Sequence, residues 1–279
     1  MGRAGFFTIT RPANSVVAGL AAIIAYLIAT GTLVYGVLLL MAVVALITAA
    51  GNVINDYFDA AIDAINRPER PIPSGAVSRD AALAWAGILF VLGLAVSVFT
   101  TPLCVGIALV NALLLVLYAA RLKSTPFFGN AAVAYLSASI FLFGGAYAGW
   151  QALLGMLPIA AITFLAMLAR ELLKDAEDIE GDRAHGADTL AIRIGVKTTA
   201  LIAFACAVAA VAASVIPVLW WGPWYLPGIA MVDLVILVAA GRALGCPDPA
   251  CLKANGASTL LKLGMFASLV VFTLSAVFL

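Results

Sequence analysis

Apolar residues run through this chain in long blocks, not in alternation. The blocks are separated by short polar connections, and about 20 apolar residues is the length an α-helix needs to cross a bilayer's hydrocarbon core. Windows near 13–31, 33–54, 81–100, 102–120, 129–149, 152–173, 198–218, 224–241 and 260–278 meet that length. The pattern predicts an all-α membrane protein with nine transmembrane helices, a single polytopic domain over residues 1–279. Composition agrees: 65% hydrophobic and 10% charged residues, with a mean hydropathy of +1.13, exclude a soluble globular enzyme of this length.

Charge placement tests the helix count, because Lys and Arg collect in cytoplasmic connections. With nine helices, all 15 basic residues fall on one side: the N-terminus, the 2/3, 4/5, 6/7 and 8/9 connections and their flanking turns. The opposite connections are short and lack basic residues, and one of them, Trp220-Trp221-Gly222-Pro223-Trp224-Tyr225, reads as an interfacial aromatic belt. The N-terminus is therefore expected in the cytoplasm and the C-terminus outside. The basic start followed by an apolar run is expected to remain as the first helix, not to be cleaved as a signal peptide. Of the 14 acids, 13 share the basic side. A mixed acidic and basic face suits an anionic substrate held through metal ions; nucleic acid would call for uncompensated basic charge. Cys246 and Cys251 fall in the 8/9 connection, where a reducing cytoplasm argues against a disulfide.

Within that polar face the pattern Asp-x-x-Asp-x-x-x-Asp occurs twice, at Asp56/Asp59/Asp63 and Asp175/Asp178/Asp182, with each member 119 positions from its counterpart. Positions i, i+3 and i+7 share one face of a helix. Like charges that close repel unless a cation lies among them, and acids at a helix C-terminus are disfavoured by the dipole, so helix stability does not explain them. The two triplets, in the segments near 55–79 and 174–197, are expected to face each other across a divalent metal. The four-helix interval divides the chain into two pseudo-repeats, helices 1–4 and 5–8, followed by helix 9. Hard cations such as Mg²⁺ take oxygen ligands and are shared with substrate phosphates. Asn55 with Asp59, and Asp178 with Asp182, are i, i+4 pairs and the favoured metal ligands; Asp56, Asp63 and Asp175 complete the catalytic acids. Arg67, Arg70, Lys123 and Lys174 are candidate diphosphate contacts, the arginines in bidentate fashion.

Asn55-Asp-x-x-Asp-x-x-x-Asp63, the downstream Asn66-Arg67-Pro68 and Arg70-Pro-Ile-Pro-Ser-Gly75, and Lys174-Asp-x-x-Asp-x-x-x-Asp182 resemble the UbiA superfamily of intramembrane prenyltransferases. The resemblance extends to Arg11-Pro12-x-Asn14 before helix 1 and Gly129-Asn130 before helix 5, which adds Asn14 and Asn130 as candidate substrate contacts. It implies nine helices around a central cavity, Mg²⁺-bound isoprenyl diphosphate at the cytoplasmic end, and prenyl transfer to a lipophilic acceptor in the membrane. The wording of the two acidic segments is most similar to archaeal members that prenylate geranylgeranylglyceryl phosphate; an aromatic or quinone-precursor acceptor is the alternative. Where the family has Tyr-x-x-x-Lys, Tyr118 is followed by Arg121 at +3 and Lys123 at +5, so both cations are candidates. No nucleic acid and no obligate protein partner are implied.

Other residues carry weaker signals. Tyr118, Tyr135 and Tyr147 could face an allylic cation through their rings. Asp233, alone among the acids, falls mid-helix, either hydrogen-bonded across helices or on the cavity wall. His185 reads as a loop residue. Lys262, about one turn into helix 9, reads as a snorkelling lysine. A cation or phosphate transporter would place its acids near the midplane on broken helices, not at one face, and the Asp-Gly-x-x-Ala-Arg opening of the CDP-alcohol phosphotransferases is absent.

Overall fold

The computed structural model describes residues 3–184 and 186–279, and among these nine helices are long and apolar enough to cross a membrane. They are α1 (Pro12–Thr30), α2 (Val37–Asn66), α3 (Arg79–Ser97), α4 (Pro102–Ala120), α5 (Phe128–Ala148), α6 (Trp150–Glu177), α7 (Leu190–Ala213), α8 (Tyr225–Leu244) and α9 (Ala257–Phe278). Short helical turns at Arg3–Ile9, Leu122–Ser124, Ile179–Ala184, Val218–Trp221 and Pro249–Asn255 fill the connections.

Local chemistry sets many of these boundaries. Pro12 and Pro102 open α1 and α4, where a missing N–H costs nothing. Thr101 and Ser78 cap α4 and α3, accepting from the N–H groups of Cys104 and Ala81. Gly31, at φ 69°, ends α1 in the left-handed conformation that glycine tolerates.

Two helices exceed the apolar windows. With 30 and 28 residues, α2 and α6 are about 45 and 42 Å long, against a hydrocarbon core of about 30 Å. The apolar windows end at Ile54 and Leu173, whereas the backbone ladders continue to Asn66 and Glu177. The first triplet gains a rigid support in this way; of the second only Asp175 lies in α6, because the ladder ends at its cap Asp178 and Asp182 belongs to the separate turn Ile179–Ala184, so the single helical face expected there does not form. The seventh helix departs from the 198–218 window: it begins at Leu190, breaks at Gly195 (φ 80°, ψ 166°) and ends at Ala213. Pro217 has no N–H to offer the Ala213 carbonyl, so the ladder stops there.

The closest packing joins α5 to α6, α6 to α7, and α2 to α3. At Gly144 an added Cβ would lie 2.6 Å from the Ala25 carbonyl carbon and the Tyr26 nitrogen, so α1 and α5 touch backbone to backbone, the close approach that small residues permit in lipid. One apolar core is shared by α1 and α5–α9. A second, under the first acidic segment, joins α2, α3 and α4 to Ile9 and Val77.

Three readings from sequence are corrected or narrowed. Trp221 and Tyr225 face inward, buried against Phe272 of α9, so of the expected aromatic belt Trp220 and Trp224 are the exposed members. Cys246 and Cys251 are disulfide-bonded. The turn into Pro249–Asn255, capped by Asp248, brings their Cα atoms to 5.4 Å, within bonding range, a geometry that a compartment argument cannot see. Asp233 accepts a hydrogen bond from Ser214 Oγ at 2.7 Å, and Tyr225 donates to the Ser214 carbonyl at 2.8 Å. Its role is to tie α8 to the end of α7.

Candidate active site

The first triplet lies on the last three turns of α2, and basic side chains from three other segments converge on it. Asp56 and Asp63 are buried, at 4% and 6% exposure, which for carboxylates demands partners. Arg70 supplies both, with Nη1 3.3 Å from Asp56 Oδ1 and 2.6 Å from Asp63 Oδ2. It is held there by the proline-rich loop, whose backbone folds on itself through Ser74 N–H to Arg70 O, Gly75 N–H to Ile72 O and Val77 N–H to Pro71 O. The fully buried Val77 pins that loop to the core below.

Arg11 makes the second ion pair to Asp56. It is the N-cap of α1 and has φ 48°, ψ 65°, a left-handed conformation that costs a non-glycine residue about 1–2 kcal/mol. Strain at a residue bonded to a buried acid marks a functional position. Sequence reasoning treated Arg11 as a topology charge and left it out of the candidate site. The available signal was its place directly before Pro12.

Asp59 is paired with Lys123 and accepts from Asn55 Nδ2 at 2.9 Å. Of the two candidate cations, Lys123 is the one that reaches an acid of the first triplet. Arg121 instead ends α4, exposed, with its N–H on the Leu117 carbonyl. The turn that presents Lys123 is fixed by Gly129: an added Cβ would come 2.7 Å from the Leu122 carbonyl, so only glycine lets α5 start this close. The next residue, Asn130, is buried and donates from Nδ2 to Asp175 Oδ2 at 2.8 Å.

Asp175 belongs to the second triplet, on the last turn of α6. The negative charges of Asp182 and Glu171 outweigh that of Lys174 in its field. Tyr118 of α4 is half-buried, with Glu171, Asp175 and Asp59 among the charges that act on it. Asp178 caps α6 and pairs with Lys253 at 3.3 Å; Asp182 continues in the following turn, with its N–H on the Asp178 carbonyl at 2.9 Å. The loop after it reaches the 4/5 turn through Asp188 N–H to Ser124 O at 3.2 Å. Arg67 and Lys174 are exposed at the ends of α2 and α6. His185 lies outside the described residues.

Beneath the clusters opens a cavity of about 390 Å³. Arg11, Asn14, Asn52, Asn55 and Tyr118 line its polar end, and Val43, Ile47, Ala108 and Phe143 its apolar depth. Asn14 donates to Asn52 Oδ1 at 3.4 Å. Neither Tyr135 nor Tyr147 is on this wall; Tyr147 packs on Tyr26. A largely apolar cavity with Arg11 and three asparagines at its polar end, next to the acids that Arg11 and Asn55 contact, fits a long hydrocarbon ending in a phosphate group.

Among the described residues, no three His, Cys, Asp or Glu side chains converge at metal-ligand distance. Asn55 and Asp59 are in contact, but Asp59 and Asp178 each face a lysine. The donor chemistry nevertheless suits a hard cation: every donor is an oxygen ligand, and the negative balance around Asp175 is what a divalent ion relieves.

Residues 16–275 match the UbiA prenyltransferase family. A protein of Methanoregula boonei named digeranylgeranylglyceryl phosphate synthase is 87% identical over 279 residues, covering 100% of both chains. A solved structure concerning digeranylgeranylglyceryl phosphate synthase in membranes matches with a TM-score of 0.90 at 35% identity, over 99% of each chain. A UbiA homologue from Archaeoglobus fulgidus bound to GPP and Mg²⁺ matches with a TM-score of 0.64 at 16% identity, over 96% of this chain and 99% of that one; at that identity the likeness is one of fold. The chain belongs to the UbiA prenyltransferase family and is a multi-pass membrane prenyltransferase.

Proposed function

We propose that this enzyme transfers a geranylgeranyl group from geranylgeranyl diphosphate to the hydroxyl of geranylgeranylglyceryl phosphate, with Mg²⁺, at the cytoplasmic face of the membrane. The observation that carries the reading is the 390 Å³ cavity, whose polar end holds Arg11, Asn55 and Tyr118 beside the acids Asp56 and Asp59 and whose depth is lined by apolar side chains. The full-length identity to the Methanoregula boonei protein supports the choice of acceptor. The GPP and Mg²⁺ bound to the Archaeoglobus fulgidus homologue support the choice of donor class and metal.

Arg11, Arg70 and Lys123, now on Asp56, Asp63 and Asp59, turn to the diphosphate oxygens when donor enters. That exchange releases the acids for metal. Asn55, Asp59, Asp178 and Asp182 are the ligands assigned to Mg²⁺, with Asp56, Asp63 and Asp175 as their near partners. Mg²⁺ supplies electrostatic stabilisation of the departing diphosphate. Arg67 and Lys174 reach the same group from the rim, and Asn14 and Asn130 fix its orientation. Tyr118 faces the carbon that loses the diphosphate and offers its ring to developing positive charge. The C1–O bond breaks with its electron pair leaving on the diphosphate. The acceptor oxygen then bonds to C1, and its proton passes to the departing diphosphate.

The test incubates purified enzyme and labelled geranylgeranyl diphosphate with geranylgeranylglyceryl phosphate or 4-hydroxybenzoate, in Mg²⁺ or EDTA. Ether product from the first acceptor, lost in EDTA and restored by Mg²⁺, is expected. Product from the aromatic acceptor alone would overturn the assignment.

A further inference from the structure

A second cavity, of about 330 Å³, lies between α1, α5, α6, α8 and α9. Among the described residues its walls are apolar or hydroxylic except for two side chains, Arg170 and Lys262, both cationic. Arg170 is seven residues from the end of α6 and Lys262 five from the start of α9. At 1.5 Å per residue, they stand about 8–10 Å from those helix ends, and both line the one cavity. Arg170 gives Nη1 to Glu171, but its buried Nε has no hydrogen-bond partner. Glu171 answers Arg170 from outside the cavity, and among the described residues no acid lines it to answer Lys262. A lysine without an acid beside an unfilled arginine donor in an apolar cavity is costly unless an anion joins them.

The second cavity abuts the first. Ser137 and Ile140 of α5 line both. Consecutive residues of α6 serve the two sides: Arg170 faces the second cavity, and Glu171 acts on Tyr118 of the first. Two amphipathic ligands, each with an apolar tail and an anionic head, could lie side by side here and meet at the α5 wall.

We infer that Arg170 and Lys262 form the clamp for the phosphate of the prenylated glyceryl acceptor, whose tail lies in the second cavity while the donor occupies the first. This rests on the transfer reading above. It reassigns Lys262 from snorkelling to substrate recognition, and it predicts selectivity: a neutral alcohol of the same shape would leave the Lys262 charge and the Arg170 Nε–H unanswered. Arg170 and Lys262 take no part in bond breaking; they position the acceptor hydroxyl against C1 across the shared wall.

The experiment uses full-length protein in phosphatidylcholine vesicles, which carry no net charge, with Lys262→Met, Lys262→Arg and Arg170→Met variants. Equilibrium binding of geranylgeranylglyceryl phosphate is measured without donor, beside its dephosphorylated alcohol. Acceptor KM and donor KM are then measured in turnover. Loss of one charge-assisted contact should weaken binding of the phosphate ester tenfold to a hundredfold. The alcohol's binding and the donor KM should move less than twofold, and Lys262→Arg should retain most of the affinity. An equal loss for ester and alcohol, or none, would overturn the clamp, as would phosphatidylglycerol displacing the ester from the wild-type protein but not from Lys262→Met, which would make the site one for bulk lipid. Wild-type binding that depends on Lys262 without ether product would leave the clamp standing and overturn the transfer reading instead. Unchanged donor binding by each variant excludes misfolding.

Discussion

Removing Arg70 isolates the electrostatics of the first acidic cluster. Its guanidinium, 17% exposed, lies 2.6 Å from Asp63 and 3.3 Å from Asp56, whose side chains are 8% and 5% exposed. Asp56 keeps Arg11 when Arg70 is gone; the side chain of Asp63 has no other ion pair among the described residues. The loss therefore falls on Asp63. Opposite charges about 4 Å apart interact by about 4 kcal/mol at an effective dielectric of 20, and breaking a buried pair from one side costs about 3–5 kcal/mol. Arg70→Met should destabilise by about 3–4 kcal/mol, roughly 6–12 °C in Tm for a chain of this size. Adding Asp63→Asn removes the stranded charge and should recover about 2 kcal/mol. Unfolding by rising SDS fraction in mixed micelles, followed by tryptophan fluorescence, measures the four members of the cycle. Activity should stay low in all three variants, so stability carries the test. A coupling energy below about 0.5 kcal/mol would refute the claim that Arg70 exists partly to neutralise Asp63.

Lys123→Met should lower kcat/KM by about 30–150-fold, the worth of a charge-assisted contact of about 2–3 kcal/mol, while Arg121→Ala stays within about threefold; steady-state kinetics with varied donor distinguishes them. Gly129→Ala forces a Cβ against the Leu122 carbonyl and should cost about 1–3 kcal/mol, read as a lower Tm together with a raised donor KM, because the displaced turn carries Lys123. Asn130→Asp should impair turnover more than Asn130→Ala, since it sets a carboxylate against Asp175 at the 2.8 Å contact; equal defects would show that the lost hydrogen bond is the whole effect. Ser214→Ala should lower Tm by leaving Asp233 unpaired, about 1–3 kcal/mol, with kcat within about twofold in the same ether-product assay.

Much of this architecture was legible from sequence. Nine spans follow from apolar length alone, and helical spacing holds for Asp56, Asp59 and Asp63 on α2; it fails for the second triplet, where the helix ends at Asp178 and Asp182 falls in a new turn. The helix ends were not legible: hydropathy stops at Ile54 and Leu173, whereas α2 and α6 continue to Asn66 and Glu177, because a backbone ladder is indifferent to whether its side chains are wet. Arg11 was hidden by its resemblance to an ordinary topology charge; its left-handed φ and its contact across 45 residues are tertiary facts. That Lys123 and not Arg121 reaches Asp59 depends on a close backbone approach at Gly129 that no spacing encodes. Cys246 and Cys251 show the reverse error, where an argument about compartment overrode one about distance. Arg170 and Lys262 are 92 positions apart, and only the packing of α6 beside α9 makes them neighbours of one cavity.

The uninterrupted passage of α2 and α6 from the apolar layer into the acidic clusters has a mechanical consequence. Each helix is about 42–45 Å long, with Pro158 inside α6, and one degree of tilt moves its far end by about 0.8 Å. A bilayer that thins or thickens changes the tilt of such helices, so the spacing of the two carboxylate groups is geared to the thickness of the membrane. Acyl chain length thereby acts on this enzyme as a control variable, and reaction rates in vesicles of graded lipid length should pass through a maximum.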